Sequence, residues 1–258
     1  MKEIIIIPDV HGRTFWKDVI NKYGNNPDSH IIFLGDYLDP YIRLDNITPQ
    51  EAFINFKEIV REAQLKNNIT LLIGNHDLHY FPLFLDYLGC RKDNLLKNDI
   101  SDLFVTNKNL FKVAYEITIK NKRFLFTHAG IIPSWFDYIT DKFPHKLFSK
   151  TYDQQPINIE LTADGLNSLL NSEEGLRSLS IVSRERGGRA LTGSPLWADV
   201  SEHYYSSDSY NDSIYQIFGH SLAFPTLDDY VINDCWAMLD CRKAFKLDCE
   251  TLKINELC

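Results

Sequence analysis

The sequence predicts an α/β protein built on mixed β-sheets flanked by helices, and three observations point there. Short apolar, β-branched runs recur at Glu3–Ile7, His30–Leu34 and Ile69–Ile73. Longer stretches of helical periodicity separate them, and the later part of the chain has hairpin-like spacing instead.

Taken in order, Glu3–Ile7 reads as the first strand, since its apolar run is far too short to span a bilayer or serve as a secretory signal. His30–Leu34 follows as the second strand. Thr48–Gln64 is a helix whose start is written locally: Thr48 suits an N-cap, Pro49 the first helical position and Glu51 the first turn. Ile69–Ile73 completes a β-α-β-α-β opening, so these three strands are expected to pair in parallel with their C-terminal ends on one edge. Further on, Val113–Ile119 and Arg123–Thr127 around Asn121-Lys122 read as a hairpin, and Trp236–Leu239 with Ala244–Leu247 around Arg242-Lys243 reads as a second. Thr162–Leu170 is helix-like, Arg184–Pro195 is a loop rich in Gly and Arg, and Ile214–Phe218 is a strand. Residues 134–213 are expected to form an insertion around the active-site face of a single domain spanning 1–258.

Composition narrows the function classes. With 258 residues, 44% of them hydrophobic, the chain can bury one sizeable core. The formal net charge of -8 speaks against a broad nucleic-acid surface, and neither a membrane nor a nucleic-acid partner is expected. The five cysteines, Cys90, Cys235, Cys241, Cys249 and Cys258, include no Cys-x-x-Cys pair. That pattern suggests neither a disulfide framework nor a thiolate zinc site, and fits a reducing, cytoplasmic setting.

Metal-ligand residue types follow the predicted strands. The first ends in Asp9-Val10-His11-Gly12, the second in Gly35-Asp36-Tyr37-Leu38-Asp39 and the third in Gly74-Asn75-His76-Asp77. Arg123–Thr127 runs into His128-Ala129-Gly130, and Ile214–Phe218 into Gly219-His220. Each fragment alone is an ordinary turn. Five of them, all at strand ends, predict one site. The mixed Asp, His and Asn set suits divalent manganese, iron or zinc.

These motifs resemble the signature of the calcineurin-like metallophosphoesterases, closest to the phosphoprotein phosphatase (serine/threonine phosphatase) family, from Asp9 to His220 and more weakly through Trp236–Leu247. The resemblance implies a β-sandwich flanked by helices and two divalent metal ions. Asp9, His11 and Asp36 would hold the first, and Asp36 would bridge to a second held by Asn75, His128 and His220. Two such cations clamp phosphoryl oxygens and lower the pKa of a shared water. His76 is the candidate acid for the leaving group, with Asp77 beside it, or Asp39, orienting its imidazole.

The sequence departs from the family at Pro40-Tyr41, where an arginine and a glycine usually follow the residue matching Asp39. One phosphate-binding arginine is thus missing from its place. Arg43, Arg184, Arg186 and Arg189 are the candidates to replace it, because a planar guanidinium grips phosphate in bidentate fashion. Ser194-Pro195-Leu196-Trp197-Ala198-Asp199 is similar to the family's Leu-Trp-Ser-Asp segment, which places this loop beside the site. The expected substrate is a phosphomonoester, phosphoserine or phosphothreonine in protein first. A nucleotide or dinucleoside polyphosphate hydrolase, a phosphodiesterase, or a binding module without catalysis are the alternatives.

Overall fold

The computed structural model describes residues 1–81, 93–142, 162–205, 214–222 and 229–257. In chain order its elements begin β1 (Glu3–Ile7), α1 (Trp16–Tyr23), β2 (Ser29–Phe33), α2 (Ile42–Asp45), α3 (Pro49–Leu65), β3 (Ile69–Leu72), α4 (Asn75–Leu78) and α5 (Lys97–Thr106). They continue with β4 (Phe111–Lys112), β5 (Ala114–Ile119), β6 (Lys122–Thr127), α6 (Pro133–Lys142), α7 (Ala163–Ser168), α8 (Glu173–Leu179) and α9 (Val200–Tyr205). The last five are β7 (Ile214–Phe218), β8 (Val231–Ile232), β9 (Trp236–Met238), β10 (Ala244–Asp248) and β11 (Ile254–Leu257).

The isoleucine run of β1 explains the layering. Ile4, Ile5, Ile6 and Ile7 are all fully buried, although adjacent strand residues face opposite sides. Ile5 and Ile7 pack into a core with α1 and α3, through Val19, Ile20, Phe56 and Ile59. Ile4 and Ile6 pack with Phe124, Phe126, Tyr215 and Ile217, which belong to another sheet. A strand covered on both faces needs an unbroken apolar run, and that is what the sequence has.

The first sheet has the order β11-β10-β1-β2-β3-β4 and the second β5-β6-β7-β9-β8. Strands β1, β2 and β3 pair in parallel, as the β-α-β-α-β reading requires. The capping box at Thr48 is formed in both directions: Glu51 N donates to Thr48 Oγ1 at 3.2 Å and Thr48 N to Glu51 Oε2 at 2.8 Å. The β5–β6 hairpin forms with its turn at Lys120-Asn121, one residue earlier than its sequence suggests. Both turn residues have positive φ, 47° and 67°, as a tight primed turn demands.

The second expected hairpin does not form. β9 pairs with β7 and β8 in the second sheet, while β10 pairs with β1 and β11 in the first. Arg242-Lys243 therefore belongs to a crossover between sheets, which local turn chemistry cannot distinguish from a hairpin. The second sheet is also more parallel than the later sequence suggests, since β6–β7 and β7–β9 both run in parallel. Cys235, Cys241 and Cys249 are unpaired, and of the three only Cys241 is buried; Cys90 and Cys258 lie outside the described residues. No helix among the described residues is long and apolar enough to cross a membrane.

Candidate metal centre

The C-terminal ends of β1, β2, β3, β6 and β7 meet where the two sheets face each other. Asp9, His11, Asp36, Asn75, His128 and His220 are all buried there. Asp9, His11 and Asp36 bring one donor atom each within 4.8 Å of one another, and so do Asp36, His128 and His220. Asp36 belongs to both groups. Asn75 joins the second, its Oδ1 lying 3.0 Å from His128 Nε2.

The backbone is bent hard to achieve this. His11, Asp36 and His220 have φ of 46°, 52° and 66°, in the left-handed region that non-glycine residues seldom enter. Such strain persists only where the surroundings over-determine it, and it gathers at functional sites. The glycines preceding the ligands have a second reason to be there. A Cβ at Gly74 would lie 2.1 Å from Asp36 Oδ1, and one at Gly219 2.2 Å from Asp9 Oδ1. Only a bare Cα lets these carboxylates in.

Hydrogen bonds to backbone settle which ring nitrogens carry protons. His11 Nδ1 lies 2.9 Å from Leu38 O, and His128 Nδ1 lies 2.9 Å from Leu34 O. A carbonyl only accepts, so each Nδ1 must carry the hydrogen. Burial pushes the His128 pKa down to about 3, so its ring is neutral and Nε2 presents a bare lone pair. That lone pair faces Asn75 Oδ1 at 3.0 Å, His220 Nδ1 at 3.1 Å and Asp36 Oδ2 at 3.5 Å. His220 Nε2 is buried without a hydrogen-bond partner. Burial, then Arg186 and His128, hold the His220 pKa well below the usual histidine value.

The carboxylates are strained in the opposite sense. Burial drives Asp9 and Asp36 well above the usual carboxylate pKa, and neighbouring acids add to it. Asp9 also accepts the His220 amide at 3.0 Å, tying β1 to β7. A dry cluster of acceptors and lone pairs is what a divalent cation neutralises. Two ligands at ~2.1 Å from one ion and at right angles stand about 3 Å apart, close to the spacings found here. The residues form two candidate groups of divalent-metal ligands, with Asp36 common to both.

Residues 2–223 match the family model of the calcineurin-like phosphoesterases. The chain belongs to that family. No curated protein matches it in sequence. Among solved structures, it is similar to a candidate diadenosine tetraphosphatase, with 13% identity, TM-score 0.45 and coverage of 99% of this chain and 93% of that one. It is also similar to an archaeal phosphodiesterase, with 11% identity, TM-score 0.39 and coverage of 99% and 98%. A third is a serine/threonine phosphatase from Saccharomyces cerevisiae, with 15% identity, TM-score 0.43 and coverage of 96% and 73%. At these values the family match alone fixes the fold.

Around the phosphoesterase centre, the remaining candidates sort themselves by contact. The His76 ring lies edge-on to His11 at 5.2 Å, and its Nδ1 is 2.9 Å from Asp39 Oδ2. Asp39 Oδ1 receives the Tyr80 hydroxyl at 2.6 Å. The sequence motif put Asp77 forward as an orienting partner of His76, but its oxygens are engaged elsewhere. Asp77 accepts the amides of Asp36 at 2.7 Å, Gly74 at 2.8 Å and Tyr37 at 3.0 Å. It braces the backbone that carries Asp36, and the carboxylate on His76 is Asp39.

Of the four arginines, Arg186 reaches the centre: Nη2 donates to His220 O at 3.4 Å and Nη1 to Asp199 Oδ2 at 3.3 Å. All four are exposed residues, and these contacts are what set Arg186 apart. Two residues escaped the sequence reading. Asp240 is buried just beyond β9, and its charge helps raise the pKa of both Asp9 and Asp36. Arg13 donates from Nη1 to Asp9 O at 3.4 Å and from Nε and Nη2 to Asp45 Oδ2 at 3.1 and 2.9 Å. The strand-end rule itself would have found Asp240.

Replacing Asp77 by asparagine tests the bracing role. An asparagine oxygen can keep two of the three amides, but its NH2 must face the third. One unpaired buried amide costs about 1–3 kcal/mol. Urea unfolding should register that loss, and an Asp77→Asn protein as stable as the wild type would show that the amides do not depend on the carboxylate.

Proposed function

We propose that this chain is a binuclear-metal phosphomonoesterase. The observation that carries the reading is the sharing of Asp36 between two buried groups of metal-ligand side chains, with Asn75 beside the second. Asp9, His11 and Asp36 would hold one divalent ion, and Asp36, Asn75, His128 and His220 the other. Bound there, a pair of ions of the manganese, iron or zinc kind supplies Lewis-acid charge to the phosphoryl oxygens and a water of lowered pKa for in-line attack.

The protein's own groups do the rest. Asp39 fixes the His76 ring through Nδ1, which leaves Nε2 to pass a proton to the departing oxygen. Arg186, beside the His220 carbonyl, is the guanidinium placed to grip the non-bridging oxygens, in place of the arginine missing at Pro40-Tyr41. After His220 stands Ser221-Leu222, without the second histidine of the wider superfamily's Gly-His-x-His, which supports the phosphoprotein phosphatase branch. The phosphoseryl and phosphothreonyl reading rests on that branch resemblance.

Three experiments test these roles. Chelation should silence the enzyme, and Asp36→Asn should leave a folded protein that has lost bound metal and nearly all hydrolysis of p-nitrophenyl phosphate. Metal analysis beside the assay checks both, and a wild type active without divalent metal would overturn the reading. His76→Asn should cost an alkyl phosphate ~10²–10⁴-fold in kcat and an aryl phosphate distinctly less, because an aryl oxide leaves unaided. Equal losses at unchanged metal content would remove His76 from proton transfer. Arg186→Lys should lower kcat as well as raise KM, since the guanidinium contact tightens as charge spreads over the equatorial oxygens. A kcat/KM within about twofold of wild type, roughly 0.4 kcal/mol, would mean phosphate is bound without this arginine.

A further inference from the structure

Beside His220 the surface opens into a cavity of about 450 Å³, within the size range of small-molecule sites. It adjoins both donor groups. His220 forms part of its wall, and Tyr41, another wall residue, rests its ring against His11 at 5.0 Å. A group attached to the departing oxygen of a phosphate ester held at the centre has this cavity within reach.

The lining is more apolar than polar, and its charges are paired. Val200, Tyr204, Leu222, Val231 and Met238 contribute most of it, together with Tyr41. The charged side chains on the wall are Arg186 and Asp199, and they face each other at 3.3 Å. Asp199 has little left to offer a ligand, since its other oxygen takes the Ser201 amide at 3.0 Å and the Ser201 hydroxyl at 2.7 Å. Tyr204 and Leu222 are 59% and 40% exposed, so the rim holds apolar surface that nothing in the chain covers among the described residues. The Tyr204 ring is held edge-on against Trp236 at 5.1 Å, which gives the wall a fixed flat face.

We propose that this cavity is the leaving-group pocket, and that it selects a phosphate ester whose alcohol carries a neutral flat ring of nucleobase size, as a nucleoside monophosphate does. This rests on the phosphomonoesterase reading of the adjoining centre. The pocket recognises the ring by stacking and apolar contact, because its one carboxylate is already satisfied. It therefore favours the presence of a ring without choosing strongly among bases. A phosphoseryl peptide brings a small, polar leaving group and leaves the cavity unfilled.

The test uses substrates that differ only there. Adenosine 5′-monophosphate, cytidine 5′-monophosphate and ribose 5-phosphate all depart through the same primary oxygen, so any difference in rate comes from the base. With the metal-loaded enzyme, both nucleotides should exceed ribose 5-phosphate by about ten- to hundredfold in kcat/KM, the range expected for burying one ring. Val200→Trp, which fills the cavity, should abolish the ratio between nucleotide and ribose 5-phosphate, with an unchanged circular dichroism spectrum and thermal midpoint showing that the variant is folded. Separately, saturation-transfer NMR with adenosine and the metal-free protein should show contact to the adenine protons, lost in Val200→Trp. Equal rates with and without the base, or a phosphoseryl peptide cleaved faster than either nucleotide, would overturn the proposal. Adenosine contact that is lost in Val200→Trp, with no hydrolysis of any ester, would uphold the pocket and overturn the phosphomonoesterase reading instead. Absence of adenosine contact in the wild type would overturn the pocket.

Discussion

A carboxylate buried in a dry site beside other acids is costly to ionise unless something positive lies next to it, and Asp36 is in that position. Most of the architecture answers that constraint. Five strand ends from two sheets are brought to one place, three of the ligands adopt a left-handed backbone, and glycines clear room for carboxylate oxygens. Backbone carbonyls at Leu34 and Leu38 lock the histidine rings with their bare nitrogens inward. Rings and carboxylates fixed in this way are preorganised for a cation.

The same wiring joins the ligands to the groups around them. Asp36 Oδ1 accepts the His76 amide at 2.9 Å, while its Oδ2 faces His11 and His128 at 3.5 Å. One carboxylate thus touches both donor groups and the peptide that carries the candidate acid. Below it, Asp77 holds the Asp36 and Tyr37 amides, and Tyr37 stacks on Phe56 at 4.9 Å within the helix-side core. The chemistry stands on packed aromatic rings. Burial raises the Asp77 pKa to about 7, against the lowering effect of its three amides.

What the sequence made legible was what is local in the chain. The isoleucine run, the capping box at Thr48 and the ligand-type residues after each strand all report on their own neighbourhoods. The parallel opening followed because helices separate the strands. Long-range choices were harder to read: Arg242-Lys243 has good hairpin chemistry, yet β9 and β10 part into different sheets, since apolar strands of similar length suit either. Asp77 looked like a partner for the adjacent His76, but consecutive residues at a helix start point apart, and Asp39, 37 positions away, took that place. Asp240 was missed because its strand is short and was assigned to the hairpin. The cavity could not be read at all, since its walls come from five separate parts of the chain.

The bond from the His220 amide to Asp9 spans 211 residues, and it has a consequence for the order of assembly. The first donor group is complete once residue 36 has been synthesised, whereas the second waits for β7 and the turn after it. Contacts this distant in sequence form late, because loop closure must precede any stabilisation they bring. During synthesis the chain therefore passes through a long interval in which half of the centre exists without the other. An ion captured then would meet three ligands and open solvent, and would be held more loosely than one bound after the second sheet has closed over it.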